Sequence, residues 1–332
     1  VKSRLPHSYK TAQGKGKPVE IVITTFESVA VLLGVGILGF SIVVRRILPE
    51  DALGVLTTIA IDIALPCLIF ANIIANFQPA DMPGWYLLPL WWVGFTMLAF
   101  VLSGLFSLLS RRETRREFAA TLFYQNAIFF PLAILSGMFG NSSTQVVALF
   151  LFTMFSPSFF FSTYHFFFGG AGRAMDWKKV FNIVLVATAA ATLLALAGTQ
   201  GMVPGFLVRS LLMVGAMAIP LLMIILGGNI YLDYRNKGSL FIGEVVKFVI
   251  MKNFLFPLVM LGVLLIVRPS HDVALILLLE SAVPPITAMP IVVERAGGNR
   301  NIVNQFMFAS FVLALVSIPA MVLLFEYFFA LP

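Results

Sequence analysis

The chain has 332 residues, 60% of them hydrophobic and 11% charged, with a mean hydropathy of +0.98. An ordinary soluble domain is about 25% charged, so a soluble enzyme of this composition could not cover its surface with polar groups. Its 33 phenylalanines exclude a disordered chain, which is poor in apolar and aromatic residues, and leave a multi-spanning membrane protein.

The remaining counts exclude further classes. Cys67 is the sole cysteine, so no intrachain disulfide, thiolate metal site or redox pair is expected. His7, His165 and His271 are scattered along the chain, and no metal centre or other cofactor is expected from them. The net charge of +7 matches the Lys and Arg bias of cytoplasmic loops better than it matches a nucleic-acid partner.

In chain order, residues 1–20 read as a polar, basic tail (Lys2, Arg4, Lys10, Lys15, Lys17) without the n-region and h-region of a signal peptide. Ten apolar segments follow: Ile21–Val44, Leu53–Ala75, Trp85–Leu109, Phe118–Phe139, Thr144–Phe168, Val180–Thr199, Phe206–Tyr231, Val245–Val267, Val273–Val293 and Ile302–Phe329. Each is about 20 residues, enough to cross a bilayer core as a helix. They are too long and too unalternating for barrel strands. An all-α membrane protein with ten transmembrane helices is the expected fold class.

The connections after helices 1, 3, 5, 7 and 9 carry thirteen Lys and Arg residues, among them Arg111, Arg112, Arg115 and Arg116. Those after helices 2, 4, 6 and 8 carry Arg268, with Arg209 at the margin of helix 7. The positive-inside rule then places both termini outside a cell inner membrane, although the basic tail pulls the other way.

The chain also repeats itself. Pro49 and Pro204 lie 155 residues apart, Pro66 and Pro220 154, and Pro131 and Pro285 154; farther on, Gly140 and Gly298 differ by 158 and Pro157 and Pro319 by 162. Residues 21–168 and 180–332 thus form two five-helix repeats joined by a linker at 169–179. Five is odd, so the second repeat enters the membrane inverted, as in secondary transporters.

Helices 4 and 9 carry the chemistry. Helix 4 reads Tyr124-Gln125-Asn126-Ala127-Ile128-Phe129-Phe130-Pro131, and helix 9 places Pro284, Pro285 and Pro290 within seven residues. Proline removes a donor and clashes with the preceding turn, so both helices are expected to break. The freed backbone groups must be satisfied by protein, water or a ligand, and half-helix N-termini suit an anion. Expected substrate contacts are Asn126, Pro131, Pro285, Ile286 and Pro290, with Leu65 and Ile69 beside Pro66 in helix 2. Asp62 and Glu280 are carboxylates at bilayer depth, which cost roughly 2.5–3.5 kcal/mol there. They are read either as sites for a coupling proton or ion, such as sodium, or, for Asp62, as a group nearer the interface or structurally paired and, for Glu280, as a lining position near the outer water. Asn229, Lys247, Lys252 and Asn253 are candidates for an inner vestibule, with snorkelling the favoured reading of the lysines. Asn72 is read as a helix pin, and the Phe-rich run Phe150–Phe168 as packing or lipid-facing surface.

Two apparent motifs carry no chemistry. Gly34-Val-Gly36-Ile-Leu-Gly39 fits the dinucleotide fingerprint but lies inside an apolar helix, where small residues permit close packing instead. Asn141-Ser142-Ser143 fits a glycosylation sequon, relevant only in a secretory host.

The stretches VPPITAMPIVVERAG (Val283–Gly297), NIVNQFMFASFVLALVSIPAMVLL (Asn301–Leu324) and LPEDALGVLTTIAIDIALPCLIFANII (Leu48–Ile74) resemble the auxin efflux carrier family, whose resemblance covers the membrane region in order. The resemblance implies ten helices in two inverted repeats, with broken helices 4 and 9 crossing beside the substrate. It further implies a scaffold of helices 1, 2, 6 and 7 against which the others move as an elevator. Its substrates are small organic anions, such as auxin or dicarboxylates, and the wider superfamily holds sodium-coupled bile-acid carriers. The 169–179 linker is short, as in the bacterial-type branch. Phe129 and Phe130 stand where the family has small residues, implying a narrower, more apolar pocket. The expected partners are a small organic anion and the bilayer, with a homodimer left open and no nucleic acid. A sodium-coupled bile-acid-type carrier and a non-transporting receptor sensing a small ligand stay open as alternatives. An intramembrane enzyme would need a catalytic constellation, and none is found.

Overall fold

The computed structural model describes residues 18–141, 143–169, 182–235 and 240–329. Among them the regular structure is helical, apart from one isolated backbone bridge. The linker at 169–179 (beyond Gly169), most of the 1–20 tail and Ser142 of the sequon lie outside the described residues. Among the described residues, seven helices are long and apolar enough to cross a membrane.

The helices are α1 (Pro18–Val44), α2 (Ala52–Asn76), α3 (Trp85–Ser107), α4a (Arg115–Phe123), α4b (Phe129–Phe139), α5 (Thr144–Phe168), α6 (Ile183–Leu196), α7a (Gly205–Gly215), α7b (Ala218–Arg235), α8 (Ile242–Val267), α9a (His271–Ala282), α9b (Met289–Arg295) and α10 (Arg300–Phe329). Large apolar side chains such as Leu90, Met97 and Phe100 of α3 stay exposed, as the lipid-facing surface of an integral, multi-pass membrane protein requires. The Phe-rich run is packing surface in part: Phe150, Phe152 and Phe160 are buried and Tyr124 meets Phe160 edge to face, whereas Phe155 and Phe166 are exposed.

Prolines set the irregularities. Pro66 deprives the Asp62 carbonyl of its usual donor, and α2 widens into a π segment at Ile59–Ala64. Pro257 does the same to Asn253, and α8 widens at Met251–Leu255. Asp62 and Lys252 therefore sit in the two widened turns. Pro220 would clash at Ala216, and there α7 is interrupted between its two halves.

Side-chain ties sort the connections to two ends. At one end Arg235 pairs with Glu50, Ser110 and the Arg111 N–H donate to Glu244 at 2.6 and 3.2 Å, and the Phe241 N–H donates to Gln305 at 2.9 Å. The connections after α1, α3, α7b and α9b thus share an end, the one rich in Lys and Arg. At the other, Gln200 donates to the Phe77 carbonyl at 2.6 Å and Gln145 to Asp272 at 3.3 Å. Glu244 is 2% exposed and accepts from Ser110, Thr114, Lys247 and the Arg111 backbone. Glu244→Ala would orphan several donors at once, so a loss of about 1–3 kcal/mol is expected, read as a lower melting temperature in detergent. An unchanged melting point would show that the knot holds nothing together.

Glycines let α1 lie against α7b. A Cβ on Gly227 would collide with the Gly36 carbonyl oxygen and stand 2.7 Å from the Phe40 nitrogen, and one on Gly39 would strike the Ile224 backbone. The Gly36 and Gly39 positions thus serve close packing, as expected of an apolar helix; Gly34 faces open space. Gly227→Val should force the helices apart at a cost of about 1–3 kcal/mol, visible as a fall in the monodisperse fraction on size exclusion. A wild-type elution profile and melting point would refute this close contact.

Candidate functional site

The site is built from two broken helices. Pro284 and Pro285 supply no N–H, and a residue preceding proline is pushed to extended geometry. Val283 accordingly leaves α9a at φ −70°, ψ 152°. Pro290 is placed in the first turn of α9b, where its missing donor costs nothing. In helix 4, Pro131 likewise falls in the first turn of α4b, and Tyr124 leaves α4a at φ −92°, ψ 109°.

The two breaks pair with each other. The Asn126 N–H donates to the Pro284 carbonyl at 2.9 Å, the Ile286 N–H donates to the Tyr124 carbonyl at 3.0 Å, and Gln125 faces Pro285 in an antiparallel bridge. This corrects one expectation. The amides of Asn126 and Ile286 are not left bare for a ligand, because each break satisfies the other. Gln125 and Pro285 are 160 apart, as are the first residues of α4b and α9b, Phe129 and Met289.

The unpaired polar atoms at the crossing belong to side chains. Asn126 is 1% exposed, and neither its Oδ1 nor its Nδ2 has a hydrogen-bond partner. Glu280 is 1% exposed, and its Oε1 is also without one. A buried polar group left unpaired costs about 1–3 kcal/mol, so these atoms mark a place shaped for something other than stability. Glu280, Gln125, Tyr124 and Ile286 wall a cavity of about 30 Å³, room for a water molecule. A second cavity of about 600 Å³ reaches Thr287 and Pro290 of the helix 9 break; Asn229, Asn301, Asn304 and Arg300 also line it. Leu240 and Arg300 place its mouth at the Lys- and Arg-rich end. Arg300 pairs with Glu294 at 2.7 Å.

Lys252 was missed by the snorkelling reading. It is fully buried, and its ammonium donates to the Gln125 side-chain oxygen and, at 3.0 Å, to the Ser281 carbonyl. The signal was its depth: it is the eleventh residue of a 26-residue span, about 15 Å from the end, beyond the reach of its own side chain. Gln125 turns its amide nitrogen back to the Leu122 and Phe123 carbonyls at 3.2 and 3.0 Å, closing the C-terminus of α4a. Asn253 lines no vestibule; it bonds Ser310 and Ser317, pinning α8 to α10. Lys247 is half-exposed and pairs with Glu244 at 2.9 Å. Asn72 donates to the Leu68 carbonyl and accepts from Asn76, both within α2, so these bonds pin no second helix.

The structure thus brings Asn126, Pro285 and Ile286 together where the breaks pair, with Glu280 and Ile286 on the small cavity and Pro290 on the large one; Asn126, Pro131 and Pro285 line neither cavity. Leu65 and Ile69 are buried in α2 and line neither cavity. Asp62 is exposed on α2 and also lines neither.

A family model described as membrane transport protein matches residues 24–183 and again residues 173–322. No curated protein matches the chain.

Proposed function

Because the chain belongs to the membrane transport protein family, in agreement with its resemblance to the auxin efflux carriers, it is a membrane transporter and not an enzyme, and we propose that it is a secondary transporter of a small organic anion. Ten spans in two inverted five-helix repeats fit the two successive family matches and the sorting of connections to two ends. The contacts fit it too: an inverted repeat maps the α1–α7b packing onto α6–α2, and both packings are present. Both termini outside a cell inner membrane follows from the basic end being cytoplasmic.

The observation that carries the reading is the unpartnered Asn126 amide, buried where two broken helices pair. An amide offers a donor to a carboxylate, and a site at the junction of two halves can be exposed to either side by moving one half against the other. The 600 Å³ cavity, open toward the basic end, is the inward access of this cycle, and elevator movement of α3–α5 and α8–α10 against α1, α2, α6 and α7 supplies the outward one. Phe129 and Phe130 beside the crossing favour an anion with an apolar or aromatic body over a compact dicarboxylate. Asp62 and Glu280 are the proposed coupling groups. A homodimer would cover the exposed Asp62 face of α2.

Proteoliposome uptake of labelled monocarboxylates, aromatic carboxylates and dicarboxylates tests the reading. Saturable uptake of at least one class, competed by its unlabelled form, is expected. Flux equal to empty liposomes across the panel, with ligand-induced stabilisation persisting, would favour a receptor.

A further inference from the structure

We propose that a groove between α1 and α10 binds one membrane lipid with a primary-ammonium headgroup, phosphatidylethanolamine, whose N–H donors meet the Glu27 carboxylate and the Leu315 carbonyl. The groove is a cavity of about 560 Å³, walled by Ile23, Phe26 and Glu27 of α1 and by the face of α10 that carries Leu315, Pro319 and Leu323. It shares no lining residue with the cavities at the crossing. Ile23, Phe26 and Leu323 are exposed, so the groove opens toward lipid and offers an acyl chain an apolar wall.

Two acceptors face this groove without a donor. Glu27 is exposed, and among the described residues no Lys, Arg or His lines the groove and none pairs with Glu27. Pro319 lies inside α10. Having no N–H, it leaves the Leu315 carbonyl without its usual donor. The heights agree. α1 ends at Val44 beside Arg45 and Arg46, and α10 begins at Arg300, both at the Lys- and Arg-rich end. Glu27 lies seventeen residues before Val44 and Pro319 nineteen after Arg300, so they stand about 26 and 28 Å from that end. A hydrocarbon core is about 30 Å thick, which puts both near its far edge, where headgroups meet acyl chains. A carboxylate and a freed carbonyl at that level call for a cation with several N–H donors. A primary ammonium has three such donors. The trimethylammonium of phosphatidylcholine has no N–H to give, and an anionic headgroup would be repelled by Glu27.

The test needs no transported substrate, so its outcome is independent of the transporter reading. The purified full-length protein in detergent is given equal amounts of phosphatidylethanolamine and phosphatidylcholine with the same acyl chains, and the lipid retained is weighed by native mass spectrometry. The wild type should retain the ethanolamine lipid about fivefold or more over the choline lipid, the scale of one hydrogen bond to a charged group in a partly solvated place. Glu27→Leu, which suits a lipid-facing position and should fold, is expected to retain the two equally. Pro319→Ala returns a donor to the Leu315 carbonyl and should shrink the preference without abolishing it. Equal retention by the wild type would overturn the proposal and leave the groove to any acyl chain. So would a preference that survives Glu27→Leu. A wild-type dimer on size exclusion that Glu27→Leu converts to monomer, with no lipid preference, would overturn it in favour of a second copy of the chain.

Discussion

Asn126→Ala is expected to lower saturable flux by about tenfold to a hundredfold, which corresponds to losing roughly 1–3 kcal/mol of hydrogen bonding to the substrate. The same substitution is expected to leave the melting temperature unchanged or raised. In the structure the Asn126 side chain has no hydrogen bond to lose, and alanine removes two buried polar atoms that nothing satisfies. The crossing itself survives, because it is held through the Asn126 backbone N–H and the Pro284 carbonyl. Flux and melting on the same preparation decide the matter. Lower flux with lower stability would make Asn126 a structural pin, and unchanged flux would remove it from the site. Sites that trade stability for function behave in this opposed manner.

The second large effect concerns Glu280. Glu280→Ala removes the carboxyl group that acts electrostatically on buried Lys252, and taking one partner from a buried charge interaction costs about 3–5 kcal/mol. That is a large part of the stability of a typical protein, so little folded protein is expected on size exclusion. The double variant Glu280→Gln/Lys252→Met should recover the fold, because neutralising both partners leaves no stranded charge. Its flux should no longer respond to an imposed proton gradient if Glu280 carries the coupling proton. A Glu280→Ala protein as stable as wild type would show that the two charges are independent.

The two cases also show where sequence reasoning reached and where it stopped. The breaks in helices 4 and 9 were legible because Pro284, Pro285 and Pro290 act on their own backbone, and such local effects need no partner. Asn126 and Glu280 stood out for a similar reason, as polar residues in apolar runs. Which residues of the two breaks meet was not legible; the structure pairs Gln125 with Pro285. Backbone pairing across space depends on how each half-helix is cut, and proline tolerates positions both within a break and in the first turn after it. Lys252 was misread because snorkelling is a property of depth and surroundings, not of residue type. Leu65 and Ile69 were read from their place beside Pro66, and the structure buries both side chains away from the two cavities.

The order of apolar and basic segments by itself determined that this chain crosses a membrane many times as helices, with its Lys and Arg gathered at one end. Those properties depend on the transfer of each segment into lipid and on local backbone chemistry, and both are sums over neighbouring residues. Only the tertiary structure decided which polar groups are spent and which are left over. It paired the Asn126 and Ile286 amides with the Pro284 and Tyr124 carbonyls, set Lys252 against the Gln125 side chain and the Ser281 carbonyl, and left the side chains of Asn126 and Glu280 with unmet hydrogen bonds. Satisfaction of a polar group is a relation between distant segments, and no single stretch of the chain contains it.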